Sequence, residues 1–545
     1  MKTNEERHGL KKLRIIGATW LLLCAVLLLG IALGAPPAAA DACGNLINLT
    51  LSNTTITTAQ SITTGTFTPP GSTTPITDLP AFCRVAGFGT PTSDSHIEFE
   101  VWIPESSWNG NYLQAGCGGF CGSISYSAMP DPLRRGYAVA ATDDGHEASG
   151  TDASWAAGHP EKVIDFAYRA LKVTTDDAEA IIQAFESSGP SRTYFDGCSD
   201  GGREALMEAQ RFPQDWDGVI AGSPANAWTH LFGGFIGNEL ALTETSTSEL
   251  TQTDLNTLTN AVLAKCAGHD GGLATDQFLN NPPACNFNPE TLLCDKNNAS
   301  NCLNQEKVEA VKKIYSGPPG IFPGYEPGAE SNPADWPAWI TGNGNPATGL
   351  QELFGNSFFE YMVFPNSGWT PTSKTIRQDV RAADESASLI NSTNPDLNPF
   401  RSRGAKLIQY VGWADSAIAP QNDINYYNSV KQVMGGLADT KEFYRLFFAP
   451  GMAHCGGGPG PNAFGNFVNG PNPSSPSDDL ISALDQWVEH GVAPNRIIAT
   501  KYVNDDPTMG IAFQRPLCVY PRIARYKGVG DPTKAASFAC VNGKH

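Results

Sequence analysis

Residues 193–204 read TYFDGCSDGGRE, and this stretch decides the fold class. A short apolar run leads into Gly197-x-Ser199-x-Gly201, and a helix-forming segment follows. This context is typical of a nucleophile elbow, in which a serine lies on a sharp turn between a strand and a helix. The glycines let strand and helix approach closely, and the helix N-terminus then points at the serine hydroxyl. Ser199 is therefore a candidate nucleophile, and a tight turn without chemistry is the alternative.

A serine hydroxyl becomes a good nucleophile only when a neighbouring base takes its proton. Nine histidines compete for this role. His454 lies in the glycine-rich segment APGMAHCGGG (449–458), directly after the apolar run YRLFF (444–448). A loop beyond a strand end is where such folds place a catalytic histidine. A histidine in an ordinary surface loop is the alternative.

Two cysteines adjoin the two candidate residues. Cys198 directly precedes the serine, and Cys455 directly follows the histidine. A disulfide between them would hold their Cα atoms about 5.5–6 Å apart. Ser199 would then lie beside His454 despite their distance in sequence. We therefore predict a Cys198–Cys455 disulfide.

The acidic residue that orients the histidine is predicted to be Asp415, in the segment YVGWADS (410–416). It follows a strand-like run and gives the chain order Ser, Asp, His that is typical of α/β-hydrolases. Its carboxylate would hold the histidine tautomer and stabilise the imidazolium. Asp423 is the competing residue, but its surroundings are more helical and more polar.

Backbone N–H groups must stabilise the negative charge that develops on the substrate oxygen. One is expected from Asp200, the residue after the serine. The other is expected from GCGGFCG (116–122), which follows an early strand, and either Gly118 or Gly119 could donate. A plain turn closed by a Cys117–Cys121 disulfide is the alternative.

Strand-like and helical segments alternate along the chain, and this alternation predicts an α/β fold with a largely parallel sheet. Helical segments are predicted at 160–186 and 477–490. Strands are predicted at 97–103, 112–115, 137–142, 193–195, 219–221, 406–411 and 444–448.

From about residue 226 to 405 the chain is rich in Asn, Pro, Ser and Thr and has no buried strand pattern. The simplest interpretation is an α/β-hydrolase domain, 41–225 and 406–545, split by an inserted lid domain, 226–405. The 545-residue length favours such an insertion.

Residues 1–40 are predicted to be a signal peptide, because a basic start precedes an apolar run and an Ala-Ala-Ala segment. Cleavage near Asp41 predicts a secreted or periplasmic protein with no membrane contact after cleavage. An uncleaved membrane anchor is the alternative. The formal net charge of −19 disfavours nucleic acid as a partner. The oligomeric state stays open.

Thirteen cysteines, less Cys24 in the signal segment, leave an even number for disulfides in an exported chain. A zinc site is disfavoured, because the paired CxxC pattern is missing.

These residues closely resemble the tannase and feruloyl esterase family, whose relatives include mono(2-hydroxyethyl) terephthalate hydrolases. The resemblance spans nearly the whole mature chain. It rests on GCSDGGR (197–203), FPQDWDG (212–218), GWAD (412–415) and PGMAHCGG (450–457). It implies the Ser199, Asp415 and His454 triad, the Cys198–Cys455 disulfide, and hydrolysis of esters of aromatic acids such as gallate or ferulate. It also implies that the lid supplies most of the acyl pocket.

The resemblance further implies four disulfides: Cys43–Cys83, Cys266–Cys285, Cys294–Cys302 and Cys518–Cys540. The Cys117–Cys121 disulfide is not general in the family. The chemistry needs no cofactor.

Calcium in the lid is a second implication of the resemblance, and here the sequence departs from the family. The acidic loop of the family begins with an aspartate after a cysteine, whereas Ala267 follows Cys266. Asp270, Leu273 and Asp276 remain as candidate ligands for a structural calcium ion, which prefers six to eight oxygens.

The most favoured function is hydrolysis of feruloyl-type esters through an acyl-enzyme. A tannase, or another aryl-ester hydrolase such as a terephthalate monoester hydrolase, is the alternative within the same chemistry. A binding protein on a decayed hydrolase scaffold and an acyltransferase are the alternatives from other classes. Six lid aromatics could stack on a substrate ring, although a lid core explains most of them equally well: Phe354, Phe358, Phe359, Tyr361, Phe364 and Trp369.

Overall fold

The computed structural model describes residues 39–295, 301–466 and 475–543. Contacts group Ala39–His545 into one compact unit. The predicted signal peptide lies outside the described residues, apart from its last two positions. No helix in the described ranges is long and apolar enough to cross a membrane.

The described residues form a nine-stranded sheet in the order β1-β2-β3-β5-β4-β6-β7-β8-β9. The first three strands pair antiparallel, β3 pairs antiparallel with β5, and the pairs from β5 to β9 are parallel. The strands are β1 Thr54–Ile62, β2 Phe82–Gly89, β3 Ile97–Pro104, β4 Asn111–Ala115, β5 Ala138–Thr142, β6 Arg192–Cys198, β7 Gly218–Gly222, β8 Lys406–Gly412 and β9 Tyr444–Ala449.

Helices follow most of the parallel strands, which confirms the α/β class. They are α1 Ala39–Asn45, α2 Pro130–Arg134, α3 Pro160–Ile164, α4 Ala170–Glu186, α5 Asp200–Arg211, α6 Trp228–Leu242, α7 Gln252–Cys266, α8 Gln305–Ser316, α9 Trp336–Trp339, α10 Leu350–Ser357, α11 Ile376–Ser386, α12 Asn398–Arg403, α13 Pro420–Val433, α14 Leu437–Thr440 and α15 Leu480–His490. A π-helical turn, Asp165–Arg169, joins α3 to α4, so the helix predicted over 160–186 is present with this irregularity.

The parallel strands are apolar on both faces because helices cover both faces. On one face Phe195, Val219 and Leu407 pack with residues of α4, α5 and α13. On the other face Tyr194 and Ile220 pack with residues of α2 and α15. Adjacent residues of a strand point into opposite cores, so burial of both faces fixes the register in which the strands pair. The register in turn fixes the edge of the sheet at which β6, β8 and β9 end.

Between β7 and β8, the described residues of 226–405 contain helices but no strand of the sheet. Their apolar side chains, with those of neighbouring loops, form a separate hydrophobic cluster around α6. The assignment of this segment as a lid domain stays an interpretation of the sequence.

Two antiparallel pairs follow α15, and the sequence patterns had not indicated them. One joins β10 Arg496–Tyr502 to β11 Ile511–Cys518, and the other joins β12 Arg522–Tyr526 to β13 Phe538–Asn542.

Candidate active site

Ser199 lies on the turn between β6 and α5, as the pattern predicts. Its φ and ψ are +67° and −118°, a strained conformation for a residue with a side chain. The turn is tight because a Cβ atom on Gly197 would come within 2.5 Å of the carbonyl oxygen of Gly201. Only glycine fits there, which explains why the motif needs it. The Ser199 hydroxyl is left at the N-terminus of α5, where the first backbone N–H groups have no partner within the helix.

His454 lies in the loop after β9, and its ring contacts Asp415 in the loop after β8. The Nδ1–H group donates to the Asp415 Oδ2 atom over 2.8 Å. The other carboxylate oxygen accepts from the backbone N–H groups of Ala417 and Ile418 at 2.9 and 2.8 Å. Asp415 is thus fixed and buried, and it holds the histidine in the tautomer with a bare Nε2 atom.

The Nε2 atom of His454 has no hydrogen-bond partner within the described ranges. A base needs this nitrogen free to accept a proton. The competing acid, Asp423, is also buried, but its carboxylate accepts from the side-chain amide of Gln409. Of the two acids, Asp415 is therefore the one bonded to His454.

A disulfide joins the two loops that carry Ser199 and His454. The Cys198 and Cys455 Cα atoms are 6.0 Å apart, as the adjacency of these cysteines to the two candidate residues predicts. Trp339 contributes a further restraint from α9, because its ring packs edge-on against the His454 ring with centroids 5.0 Å apart.

The structure contains all five other predicted disulfides as well. They are Cys43–Cys83, Cys117–Cys121, Cys266–Cys285, Cys294–Cys302 and Cys518–Cys540.

The glycine-rich loop 116–122 lies beside the start of α5. No acceptor is found among the described residues for the backbone N–H groups of Gly118, Gly119 and Asp200. A Cβ atom on Gly118 would meet nothing within 4 Å, whereas one on Gly119 would lie 2.3 Å from the Gly150 carbonyl oxygen. All three residues line the same cavity as Ser199, so their N–H groups are the candidate oxyanion donors.

Two buried side chains hold this loop, and the sequence analysis had not identified either. Glu204 of α5 accepts from the Cys117 backbone N–H at 3.1 Å. His146 donates from Nε2 to the Phe120 carbonyl oxygen over 2.7 Å. Burial lowers the pKa of His146 to about 4, so the ring is neutral and serves as a fixed donor.

Acidic side chains crowd beneath the same loop. Asp144, Asp200 and Glu204 are fully or almost fully buried around the Cys117–Cys121 disulfide, and Arg203 pairs with Asp200. Burial raises the pKa of Asp200 to about 7, against the opposing effect of Arg203. Burial and the charge of Glu204 raise the pKa of Asp144 well above its ordinary value. Partial protonation lets Asp144 and Asp200 stay buried together.

A cavity of about 270 Å³ opens onto Ser199 and His454. Beyond these two residues and Asp200, its side-chain walls are almost entirely apolar or aromatic. They come from α6 (Trp228, Leu231, Phe232 and Phe235), from α9 and α10 (Trp339 and Phe354), and from Ala225, Ala417 and Ile418.

Of the six lid aromatics singled out in the sequence, only Phe354 lines this cavity. The other five pack in the hydrophobic cluster around α6. The wall of the cavity on α6 was not predicted from the sequence. Trp228, Leu231, Phe232 and Phe235 follow helical spacing, a signal that could have identified them.

The predicted calcium ligands lie in the loop after α7, away from the cavity. The Asp270 carboxylate accepts backbone N–H groups of Gly272 and Asn281 at 3.1 and 3.2 Å, and one from Asn280. Asp276 accepts from the Leu273 N–H and from a guanidinium group. Both candidate carboxylates thus already accept hydrogen bonds at the positions where a calcium ion would need oxygen ligands.

Comparison with known proteins gives consistent matches along the chain. The pattern of the family described as "Tannase and feruloyl esterase" matches residues 83–541. The chain is 40% identical to an uncharacterized esterase of Xanthomonas campestris pv. campestris. The 531 aligned residues cover 92% of each protein. It is 34% identical over 452 residues to a probable feruloyl esterase B-2 of Aspergillus flavus, covering 80% of this chain and 83% of that protein.

Solved structures give the same result. Feruloyl esterase B from Aspergillus oryzae superposes with a TM-score of 0.84 at 30% identity, covering 92% of this chain and 100% of the other. Tannin acyl hydrolase from Aspergillus niger superposes with a TM-score of 0.72 at 22% identity, covering 94% and 97%. These superpositions confirm the α/β-hydrolase fold predicted from the elbow and the strand pattern.

Proposed function

The chain belongs to the tannase and feruloyl esterase family and is a carboxylic ester hydrolase, and from this premise we propose that it hydrolyses esters of hydroxycinnamic acids through Ser199, His454 and Asp415. The observation that carries the proposal is the joint position of the elbow serine, the Asp415–His454 hydrogen bond and the apolar cavity. The substrate is an uncharged aromatic ester. No cofactor takes part.

In the first half of the reaction, the Ser199 oxygen forms a bond to the ester carbonyl carbon, and its proton passes to His454 Nε2. The carbonyl oxygen takes up the negative charge and accepts from the N–H groups of Asp200 and of Gly118 or Gly119. As the tetrahedral intermediate collapses, the bond to the alcohol oxygen breaks. The alcohol leaves with the proton from His454, and the acyl group stays on Ser199.

In the second half, water takes the place of the alcohol. His454 accepts one proton of the water, whose oxygen bonds to the acyl carbon. The bond between the acyl carbon and the Ser199 oxygen then breaks, and His454 returns the proton to that oxygen. The aromatic acid is released, and the enzyme is restored. The Asp415 carboxylate stabilises the imidazolium of both steps.

The walls of the cavity support feruloyl-type acids over the other acids considered. A free carboxylate on the ring, as in a terephthalate monoester, needs a cation to offset its desolvation. No lysine or arginine lines the cavity in the described part of the chain. The three hydroxyl groups of gallate need polar partners, and Leu231, Phe232 and Phe235 of α6 offer none. The largely apolar face of a ferulate ring suits Phe232, Phe235 and Phe354.

We also infer that the protein acts outside the cytoplasm. The predicted signal peptide, 1–40, supports export. The six disulfides also support it, because such bonds persist in oxidising compartments.

The test uses mature protein from Asp41 with methyl ferulate, methyl gallate and a terephthalate monoester. We expect kcat/KM for ferulate to exceed the other two by about 10-fold or more, the effect of roughly 1.4 kcal/mol. Efficient hydrolysis of methyl gallate would instead indicate a tannase. A preference for the terephthalate monoester would indicate a terephthalate monoester hydrolase. Folded protein that cleaves none of them would contradict the proposal.

A pair of variants tests the role of the cavity. Phe354→Arg places a charge in the wall, so kcat/KM for ferulate should fall about 10-fold or more. Leu353→Arg is the matched control, because the adjacent side chain is 42% exposed and lies outside the cavity. Equal effects of the two variants would refute the assignment of the cavity as the acyl site.

A further inference from the structure

The loop between Cys266 and Cys285 carries two carboxylates that hydrogen bonds already satisfy. Both oxygens of Asp270 accept from backbone N–H groups of the loop itself. Asp270 is buried, with 4% of its surface exposed. Ala267 follows Cys266, so the position after the cysteine supplies no side-chain oxygen.

The second carboxylate, Asp276, is paired with a cation from a distant part of the chain. Its Oδ1 atom accepts from Arg515 Nη2 at 2.9 Å, and its Oδ2 atom accepts from the Leu273 N–H at 2.9 Å. The two side chains are almost buried, with exposed fractions of 2% for Arg515 and 8% for Asp276. Solvent therefore screens this ion pair little.

Arg515 is held in place by contacts other than this ion pair. Its guanidinium carbon lies 4.8 Å from the ring centroid of Phe513 and 4.4 Å from that of Phe538. Its Nη1 atom donates to the backbone carbonyl oxygens of Gln514 and Pro532, each at 3.0 Å. A planar guanidinium satisfies all these contacts at once, which an ammonium could not.

The pair β12–β13 holds the same loop through backbone groups. The Tyr526 N–H donates to the Gly271 carbonyl oxygen at 2.9 Å, and the Asn280 side-chain amide donates to the Ala524 carbonyl oxygen at 2.8 Å. Leu273 packs against the cluster that contains Phe538. Contacts at Gly271, Leu273, Asp276 and Asn280 thus dock the loop onto the C-terminal strands.

We propose that Arg515 takes the place of a calcium ion in this loop, and that the protein folds and works without one. Two carboxylates and one guanidinium leave a single negative charge, and the Arg515 cation, already bonded to Asp276, repels a divalent ion. Every carboxylate oxygen of Asp270 and Asp276 already accepts a hydrogen bond, whereas calcium needs six to eight oxygen ligands. The loop is held by the C-terminal strands instead of by a metal.

The first test measures metal content and thermal stability of wild-type protein purified in the presence of calcium. We expect well below one calcium per chain by elemental mass spectrometry, and the same Tm in EDTA as in calcium chloride. One bound calcium per chain, with a Tm that falls in EDTA, would overturn the proposal. This arm requires no variant to fold.

The second test removes the cation. Arg515→Gln leaves Asp276 buried and unpaired, so Tm should fall by about 3–5 °C, and Arg515→Lys should fall less. Arg525→Gln is the matched control, because this side chain on β12 is exposed and should leave Tm unchanged. An Arg515→Gln protein as stable as the control would refute the role of Arg515.

Discussion

Removal of the Cys198–Cys455 disulfide should lower both stability and turnover. The disulfide closes a loop of 257 residues. In the chain-entropy account, such a loop contributes about 5.5 kcal/mol at 25 °C. With an unfolding entropy of about 2.1 cal/mol/K per residue, this amount corresponds to a loss of about 5 °C in Tm for the whole chain. The Cys198→Ala/Cys455→Ala protein, followed by calorimetry under oxidising conditions, gives the measurement.

Turnover is the second readout of the same variant. The disulfide fixes the loop of Ser199 against the loop of His454, and a displacement of about 1 Å between reacting groups can cost about 100-fold in rate. We therefore expect kcat for methyl ferulate to fall by that order at a temperature well below both transitions, with KM changing little.

The control is the Cys518→Ala/Cys540→Ala protein. Its disulfide closes 22 residues between β11 and β13, so the same account gives about 3.4 kcal/mol and a loss of about 3 °C. This variant should keep the wild-type kcat, because neither cysteine lines the catalytic cavity. If Cys198→Ala/Cys455→Ala kept the wild-type kcat, the disulfide would not position the catalytic residues and the reasoning would fail.

Asp415→Asn should lower kcat by about 10⁴-fold through loss of the histidine tautomer, whereas Asp423→Asn should change kcat little. Equal effects of the two variants in a steady-state assay would contradict the assignment of Asp415 as the acid that orients His454. Glu204→Ala should lower kcat about 10-fold at nearly constant KM by freeing the Cys117 N–H, and Glu204→Gln, which keeps an acceptor, should recover most of it. Burial raises the pKa of Asp196 to about 8, with smaller repulsion from nearby acids. Native protein therefore binds this proton more tightly than unfolded protein does. The free energy of unfolding should fall as pH rises from about 4 to 8, and this group contributes about 1.4 kcal/mol per pH unit. Asp196→Asn should remove that slope in denaturant titrations, and an unchanged slope would contradict the assignment.

Local patterns in the sequence were enough to identify much of the site. The turn around Ser199 depends on nearby residues alone, because its backbone brings Gly197 and Gly201 into close contact. The loop of His454 and the adjacent cysteines are likewise short segments with recognisable residues. The choice of Asp415 over Asp423 rested on chain order and local character, and the hydrogen bond to His454 agrees with it.

Features that depend on distant contacts were not predictable in this way. The contact of Glu204 with the Cys117 N–H joins positions 87 residues apart. The pairing of Asp276 with Arg515 joins positions 239 residues apart, and Arg515 belongs to no recognised motif. The short strands β10 to β13 are only partly buried, so their hydrophobic pattern is weak.

The central claim is that Ser199 forms the acyl-enzyme in hydrolysis of an aromatic ester. The most direct measurement compares kcat/KM for methyl ferulate between the mature wild-type protein and Ser199→Ala, with folding checked by the same Tm. We expect hydrolysis by the wild type and a loss of about 10⁴-fold or more in the variant. A Ser199→Ala protein that retains wild-type hydrolysis would contradict the claim.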